Sequence, residues 1–338
     1  MILITTSDYF PKIGGLTTFT KNIEEALIQL NIEYELFHWN NFQEINNYPE
    51  EKLMSYDFII NIHSMFSWGK EKYHEKMINF IHGHEILMYS KNIFKNLYKK
   101  SQKNNFYEKM YKSYLNIFIS NFTMQKCKSN GFKVKYDRDI IFHNCIDLKE
   151  SEFIKKSILD NVLIFSCIAR DVPHKNIKGT IEFCEMLSDY SSSKIVLYLS
   201  NGTNYYSEKI EIKTVESKED NDRDKVYKLS HLNLLFSLDH SKKGFFEGFG
   251  LTVLEAGMFG VPSVVLNTGG LSESVHHLFT GVVLNSLSIN EVKNFLEYLN
   301  EENYLKLQIN CFEHTKKSHG VNHYQNLFRS LLQLKVAA

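Results

Sequence analysis

Proline is scarce in this chain, four among 338 residues, and glycine is modest at sixteen. That leaves little material for linkers, low-complexity segments or collagen-like repeats, and no repeat of solenoid period is present. No apolar run approaches the roughly 20 residues of a membrane-crossing helix. The opening MILITTSDYF reads as a strand and lacks the basic start and long apolar stretch of a secretion signal. The five cysteines, Cys127, Cys145, Cys167, Cys184 and Cys311, contain no C-x-x-C pair and are odd in number. A disulfide framework or zinc site is therefore disfavoured, and buried thiols in a reducing, cytoplasmic setting are expected. Net charge is also missing, since 39 basic residues balance 39 acidic ones. What remains is 43% hydrophobic and 23% charged, a globular composition whose length suits two domains.

The balanced charge hides an uneven distribution. From Lys91 to Lys135 there are eleven lysines against one acid, Glu108, a local charge of +10. Residues 1–90 hold six lysines against twelve acids, or −6. Aromatics interleave with the lysines in KNIFKNLYKKSQKNNFYEKMYKSYLNIF. Two readings stand: a solvated lysine-rich helical face, or a surface for a polyanion, either an anionic membrane or nucleic acid. Lys95, Lys99, Lys100, Lys103, Lys109 and Lys112 would carry the second.

Short apolar runs alternate with helical patterns along the whole chain, the signature of βαβ units around parallel sheets. MILITTS, YELFHW, DFIINIH, MINFIHGHE, LNIFIS and DIIFHNCID read as strands of a first half. NVLIFSCIAR, KIVLYLS, LNLLFSLD, PSVVLN and TGVVLN read as strands of a second. Two doubly wound α/β domains are expected, residues 1–147 and 148–316, followed by a C-terminal helical segment, 317–338, that returns to the first. The charged run DNDRDK, Asp220 to Lys225, reads as a polar loop before a short helix. Its D-x-D spacing formally matches a metal motif but lacks the strand context of one.

One stretch asks for chemistry. In FFEGFGLTVLEAGMFGVPSVV, Glu247 and Glu255 lie eight positions apart around Gly248 and Gly250 at the start of an apolar helix. The glycines let the backbone turn tightly and approach a ligand, and a helix start offers free N–H groups to a phosphate. Two carboxylates that reach such a ligand suit vicinal hydroxyls, because each oxygen accepts from an adjacent OH. Taken singly, Glu255 is an acid in the early turns of a helix, favoured by the dipole, and Glu247 a solvated loop acid.

Taken with its surroundings, EGFGLTVLEAGMFGVPSVVLNTGGLSESVHHLFTGVVL closely resembles the E-x7-E region of retaining GT-B glycosyltransferases of family 4. The resemblance continues in order along the chain. IARDVPHKNIKGTIEF resembles the family's Arg-x4-Lys segment, PKIGGLTTFTKNIEEAL its Gly-Gly loop and first helix, FIHGHE its His-Gly strand end, and FHNCIDLKESEF its entry into the second domain. It implies a GT-B fold, two Rossmann-like domains facing a central cleft, and transfer of a sugar from a nucleotide diphosphate sugar, UDP- or GDP-linked. Glu247 would hold the sugar and Glu255 the ribose diol. Arg170 and Lys175 would bind the diphosphate, helped by backbone N–H groups from Gly248 through Phe249 and Gly250 to Leu251. Gly14 and Gly15 would admit the donor phosphates, and His82 would face the reacting sugar, with His84 as its alternative. No metal or other cofactor is implied, since the cations supply the charge. His276 and His277 receive no role.

The chain departs from the family pattern in places. Ala169 stands where a glycine commonly precedes the arginine, and Asn176 where a glycine follows the lysine. Lys178-Gly179 offers a second pairing, and Lys242 or Lys243 adds charge before the first glutamate. The acceptor expected from the resemblance is a bacterial surface glycan or lipid-linked saccharide, as in polysaccharide biosynthesis, with the enzyme cytoplasmic and peripheral at the inner face of the membrane. The alternatives are glycosylation of modified bases in DNA, a non-catalytic nucleotide-sugar binder, and a sugar-nucleotide epimerase or phosphorylase.

Overall fold

Among the described residues, twelve strands pair in parallel to form two six-stranded sheets. The computed structural model describes the chain apart from residues 13, 84, 88, 91, 201, 203, 217–219 and 338. The chain divides into two compact units. The first comprises Met1–Asp147, His240–Gly248 and Gly320–Ala338, and the second Leu148–Asp239 and Phe249–His319. The segment 240–248 thus groups with the first unit, although the sequence division puts it in the second half.

The first sheet contains β1 (Ile2–Thr6), β2 (Tyr34–His38), β3 (Phe58–Asn61), β4 (Met77–Ile81), β5 (Leu115–Phe118) and β6 (Asp139–Ile141). Its order is β2-β1-β3-β4-β5-β6. The second contains β7 (Val162–Cys167), β8 (Lys194–Ser200), β9 (Glu211–Val215), β10 (Leu232–Leu235), β11 (Ser263–Leu266) and β12 (Gly281–Leu284), ordered β12-β11-β10-β7-β8-β9. Both orders are doubly wound, and each reverses direction at one place: between β1 and β3, and between β7 and β10. Every residue of β1, β3, β4, β5, β10 and β11 is buried, as expected for parallel strands covered on both faces.

An unexpected polar row crosses the first core. Thr5, Asn61, Asn79, Asn116 and Asp139 are partners in register on β1, β3, β4, β5 and β6, and all five are essentially buried. Thr5 Oγ1 donates to Asn61 Oδ1 (2.8 Å), Asn61 Nδ2 to Asn79 Oδ1 (2.7 Å), Asn79 Nδ2 to Asn116 Oδ1 (2.9 Å) and Asn116 Nδ2 to Asp139 Oδ1 (2.8 Å). Asp139 Oδ2 accepts from the amide of Lys135 (2.6 Å). Burial nevertheless raises the Asp139 pKa, with those two hydrogen bonds pulling the other way. A shorter row in the second sheet aligns Ser166, Asn233 and Ser263, with Asn233 Nδ2 donating to Ser263 Oγ at 2.9 Å.

The C-terminal helix Asn322–Ala337 packs in the first unit. The Tyr324 ring meets Phe19, Phe80 and Phe142, and its hydroxyl accepts from the Cys145 amide (3.1 Å). All five cysteines are free and buried.

Replacing Asn79 by Leu removes one partner each from Asn61, Ser67, Ser113 and Asn116, and buried groups left unpaired cost about 1–3 kcal/mol apiece. Urea unfolding of N79L should show the first unit destabilised by at least about 3 kcal/mol, while the second unit is unmoved. A loss under about 1 kcal/mol would reduce the row to replaceable packing.

Candidate functional site

The reversal between β7 and β10 gathers the sequence-predicted residues of the second unit. Ligand crevices form outside the carboxyl ends of the strands at such a point. The chain leaves β7 at Cys167 and runs through Arg170, which is exposed, to the short turn Pro173–Lys175. Cys167 senses Lys175: burial pushes its thiol up to about 11, while Thr180 and Lys175 pull it down. Asn176 takes the left-handed conformation (φ 53°, ψ 47°) and caps the helix Ile177–Ser188, its Oδ1 accepting from the Gly179 amide at 3.3 Å. Asparagine tolerates that conformation better than other residues with a Cβ, which explains how it stands where the family has glycine. Gly179 is required beneath it, because a Cβ there would lie 2.4 Å from Asn176 Nδ2. Lys178 is exposed.

From the neighbouring β10 the chain reaches Gly250, at φ 92° and ψ 72°, which precedes the helix Leu251–Gly257 without a side-chain cap. A Cβ at Gly250 would meet Leu271 at 2.9 Å, so both conformation and space require glycine. The Phe249 side chain is buried and faces His319, at 5.5 Å between ring centres. His319 in turn meets His314 (5.2 Å), and His314 meets His276 (4.6 Å). His277 Nδ1 accepts from the Val283 amide (3.1 Å).

Glu255, one turn into that helix, is nearly buried, and two residues that sequence reasoning missed hold it. Arg223 Nη1 donates to its Oε1 (3.4 Å) and the Tyr227 hydroxyl to its Oε2 (3.2 Å). Glu255 is the main cause of the raised Arg223 pKa, whereas burial dominates in raising that of Tyr227, with Glu255 adding to it. Arg223 comes from the segment expected to be a polar loop, and Tyr227 from the short helix expected after it. That expectation is corrected: Asp220–Leu229 is a helix. Its charged first half hid the apolar pair Val226 and Tyr227 on which it seats, and the i, i+4 spacing of Arg223 and Tyr227 was the available signal. Asp224 on the same helix is pushed up to about 6, first by burial and then by Glu255. Asp222 pairs with Lys225 at 3.5 Å. Among the described residues no group of three or more His, Cys, Asp or Glu side chains is arranged to hold a metal ion.

The first unit gathers another set at the carboxyl ends of β1 and β4. Gly14 and Gly15 open the helix Gly15–Gln29 after β1. Among the described residues neither has a neighbour within 4 Å of an added Cβ, and neither lies in the left-handed region, Gly14 being extended at φ 172°. Nothing in the local fold demands glycine at either position. His82 follows β4, and its ring packs edge-on against Phe19 of the same helix (4.7 Å). Its amide donates to Oε1 of the buried Glu85 (2.9 Å). The alternative histidine, His84, lies outside the described residues. The turn carrying Glu247 comes against the same strand end: a Cβ at Gly248 would be 3.1 Å from the His82 carbonyl oxygen and 2.7 Å from Ile119 Cδ1. Phe246 covers Gly83 and meets Phe122 at 5.3 Å, and Ser241 Oγ accepts from Lys126 Nζ at 3.1 Å. These contacts draw 240–248 into the first unit. Lys242 and Lys243 are exposed there.

The six lysines do not act as one set. Lys99 Nζ donates to the Tyr89 carbonyl (3.1 Å) and Lys103 Nζ to that of Asn130 (3.0 Å), so both are turned to their own unit. Lys95, Lys100 and Lys112 are exposed, and Lys109 is half-buried. Lys91 lies outside the described residues.

Comparison with known proteins gives this arrangement a family context. The family model for glycosyl transferases group 1 matches residues 149–318. No curated protein matches the chain. Among solved structures, HepE from Anabaena in complex with UDP-glucose superposes with TM-score 0.67 at 15% identity, covering 98% of this chain and 99% of that one. Sucrose-phosphate synthase from Thermosynechococcus elongatus gives 0.72 at 12%, covering 100% and 99%. The trehalose-6-phosphate synthase OtsA gives 0.68 at 12%, covering 98% of each. The two doubly wound units are the Rossmann-like domains of the GT-B architecture.

Asp224 has a pKa raised from its ordinary 3.8 to about 6, so its contribution to stability is full below the lower value and is lost as pH rises through the upper one. D224N should therefore melt higher than the parent at pH 7, by about 1–2 kcal/mol once partial exposure is allowed for, and equally at pH 4. Thermal melts at the two pH values check this; equal midpoints at pH 7 would contradict the assigned pKa.

Proposed function

The chain belongs to the glycosyl transferases group 1 family, and from that premise we propose that it transfers a hexose, with retention of configuration, from a UDP-sugar to a bacterial surface glycan or lipid-linked saccharide. The observation that carries the reading is Glu255, held nearly buried by Arg223 and Tyr227 on the helix that follows the strand reversal. Two of its lone-pair directions are used by these donors, and a carboxylate accepts about four hydrogen bonds, leaving capacity for a ribose diol. UDP is preferred to GDP as the donor base because structural neighbours with this fold were solved with UDP and UDP-glucose.

In this reading the bond between the sugar's anomeric carbon and the diphosphate oxygen breaks, and its electron pair leaves with the diphosphate. The acceptor oxygen bonds to that carbon, and its proton passes to the departing diphosphate oxygen. Negative charge grows on the leaving group, where Arg170 and Lys175 offset it, and removing such a fixed charge costs about 10²–10³ in rate. Their charge is the reason no metal is proposed. Glu247 accepts from the sugar hydroxyls, while His82 faces sugar and acceptor. Gly14 and Gly15 leave room for the donor phosphates, a role supported by the open space over both.

A panel of UDP, UDP-glucose, GDP and GDP-mannose, each with and without a chelator, tests the donor. A UDP compound at a hundred times its dissociation constant should add about 2.7 kcal/mol to stability, undiminished by the chelator. Stabilisation by GDP alone would reassign the base, and stabilisation that the chelator abolishes would overturn metal independence. E247A should retain the parent's melting behaviour and lose turnover by at least about 10²; parent-like turnover would remove Glu247 from the mechanism. The anomeric coupling of the product, read by proton NMR, decides retention.

A further inference from the structure

The helix Ile93–Met110 carries the +10 stretch, and its two halves differ. The C-terminal half is seated in the first unit through Phe106, Tyr107 and Met110, all buried. In the N-terminal half the large apolar residues point the other way: Ile93 is 67% exposed, Phe94 79%, Leu97 60% and Tyr98 61%. At 3.6 residues per turn these four fall on one outward arc over the first two turns. Lys95 and Lys100, both exposed, lie at its two margins. Glu108, the one acid in the stretch, is more than two turns further along the helix.

We propose that these first two turns form a docking surface for an anionic lipid bilayer. A contiguous outward cluster of this kind is unusual for a surface left in water. An apolar centre flanked by lysines matches the bilayer boundary, where rings and aliphatic chains sink between acyl chains and ammonium groups remain among lipid phosphates. A nucleic-acid surface calls for cations at its centre, to meet the phosphates. Here the centre is Phe94 and Leu97, and Lys99 and Lys103 are already turned to backbone carbonyls. No described helix is long and apolar enough to cross a membrane, so the contact is peripheral. It rests on the glycosyl-transfer reading only in giving the docked protein a lipid-borne acceptor to meet.

Sedimentation of the full chain with vesicles of phosphatidylcholine and phosphatidylglycerol, against vesicles of phosphatidylcholine alone, tests the proposal without turnover, so the two readings fail separately. The chain should sediment with the anionic vesicles and weakly with the neutral ones. F94S/L97S should lose at least about tenfold in partitioning although every lysine remains, and K95E/K100E should lose the preference for anionic lipid. A parent-like melting temperature for each variant establishes that it is folded, and a blue-shifted emission from F94W on vesicles reports insertion. Absence of sedimentation, or sedimentation that F94S/L97S leaves unchanged, overturns the proposal. So does retention of duplex DNA by a chain that ignores vesicles, which makes nucleic acid the partner.

Discussion

Register is the constraint on which the first unit depends. Parallel strands buried on both faces have no hairpin turn to fix their alignment, and a one-residue slip would exchange the two faces of a strand. Apolar residues such as those of ILITT, FIIN and MINFI pack almost equally well in several alignments. The Thr5–Asn61–Asn79–Asn116–Asp139 row does not: each amide finds its acceptor in one register alone, and a slip would strand a series of buried polar groups. The row therefore fixes where each strand ends. The ends of β1 and β4 set the positions of Gly14, Gly15 and His82, so polar pairing in the core determines the geometry at the rim.

The second unit places its groups by topology. Arg170 and Lys175 leave one strand of the reversal, and the helix bearing Glu255 follows the other, so cations and carboxylate reach the same sheet edge from opposite directions of winding. The helix Asp220–Leu229 then supplies the support. Arg223 and Tyr227 hold the Glu255 carboxylate, an ordering that the proposed donor would not have to supply on binding.

Alternating apolar runs and helical periodicity were enough to read both parallel sheets, because buried parallel strands are written as short continuous apolar segments. The strand β9 was not legible. EIKTV is an edge strand with Lys213 and Thr214 exposed, and an edge strand does not need the apolar run that marks a central one. The row of asparagines was equally silent, since Asn61, Asn79 and Asn116 lie 18 and 37 positions apart in sequence and only the register unites them. Glu247 and Glu255 stood out as candidates because their spacing belongs to a local motif. Arg223 did not, because its partner is 32 residues away and its neighbours are the charges of a surface run.

That same run explains why Arg223 must be where it is. Burial, and after it the like charge of Glu255, pushes Asp224 up to about 6. Arg223 and Lys228 offset this charge at Asp224, and Arg223 also donates to Glu255. Lysine would supply the charge without the planar fork that addresses a carboxylate while keeping N–H groups for other acceptors. In the proposed donor complex, hydroxyl groups of the ligand would use the acceptor capacity left on Glu255. Arg170 and Lys175, which follow the adjacent strand, would then meet an anion on the same molecule. The nucleotide diphosphate sugar proposed as donor would bring both, a diol at one end and phosphate at the other.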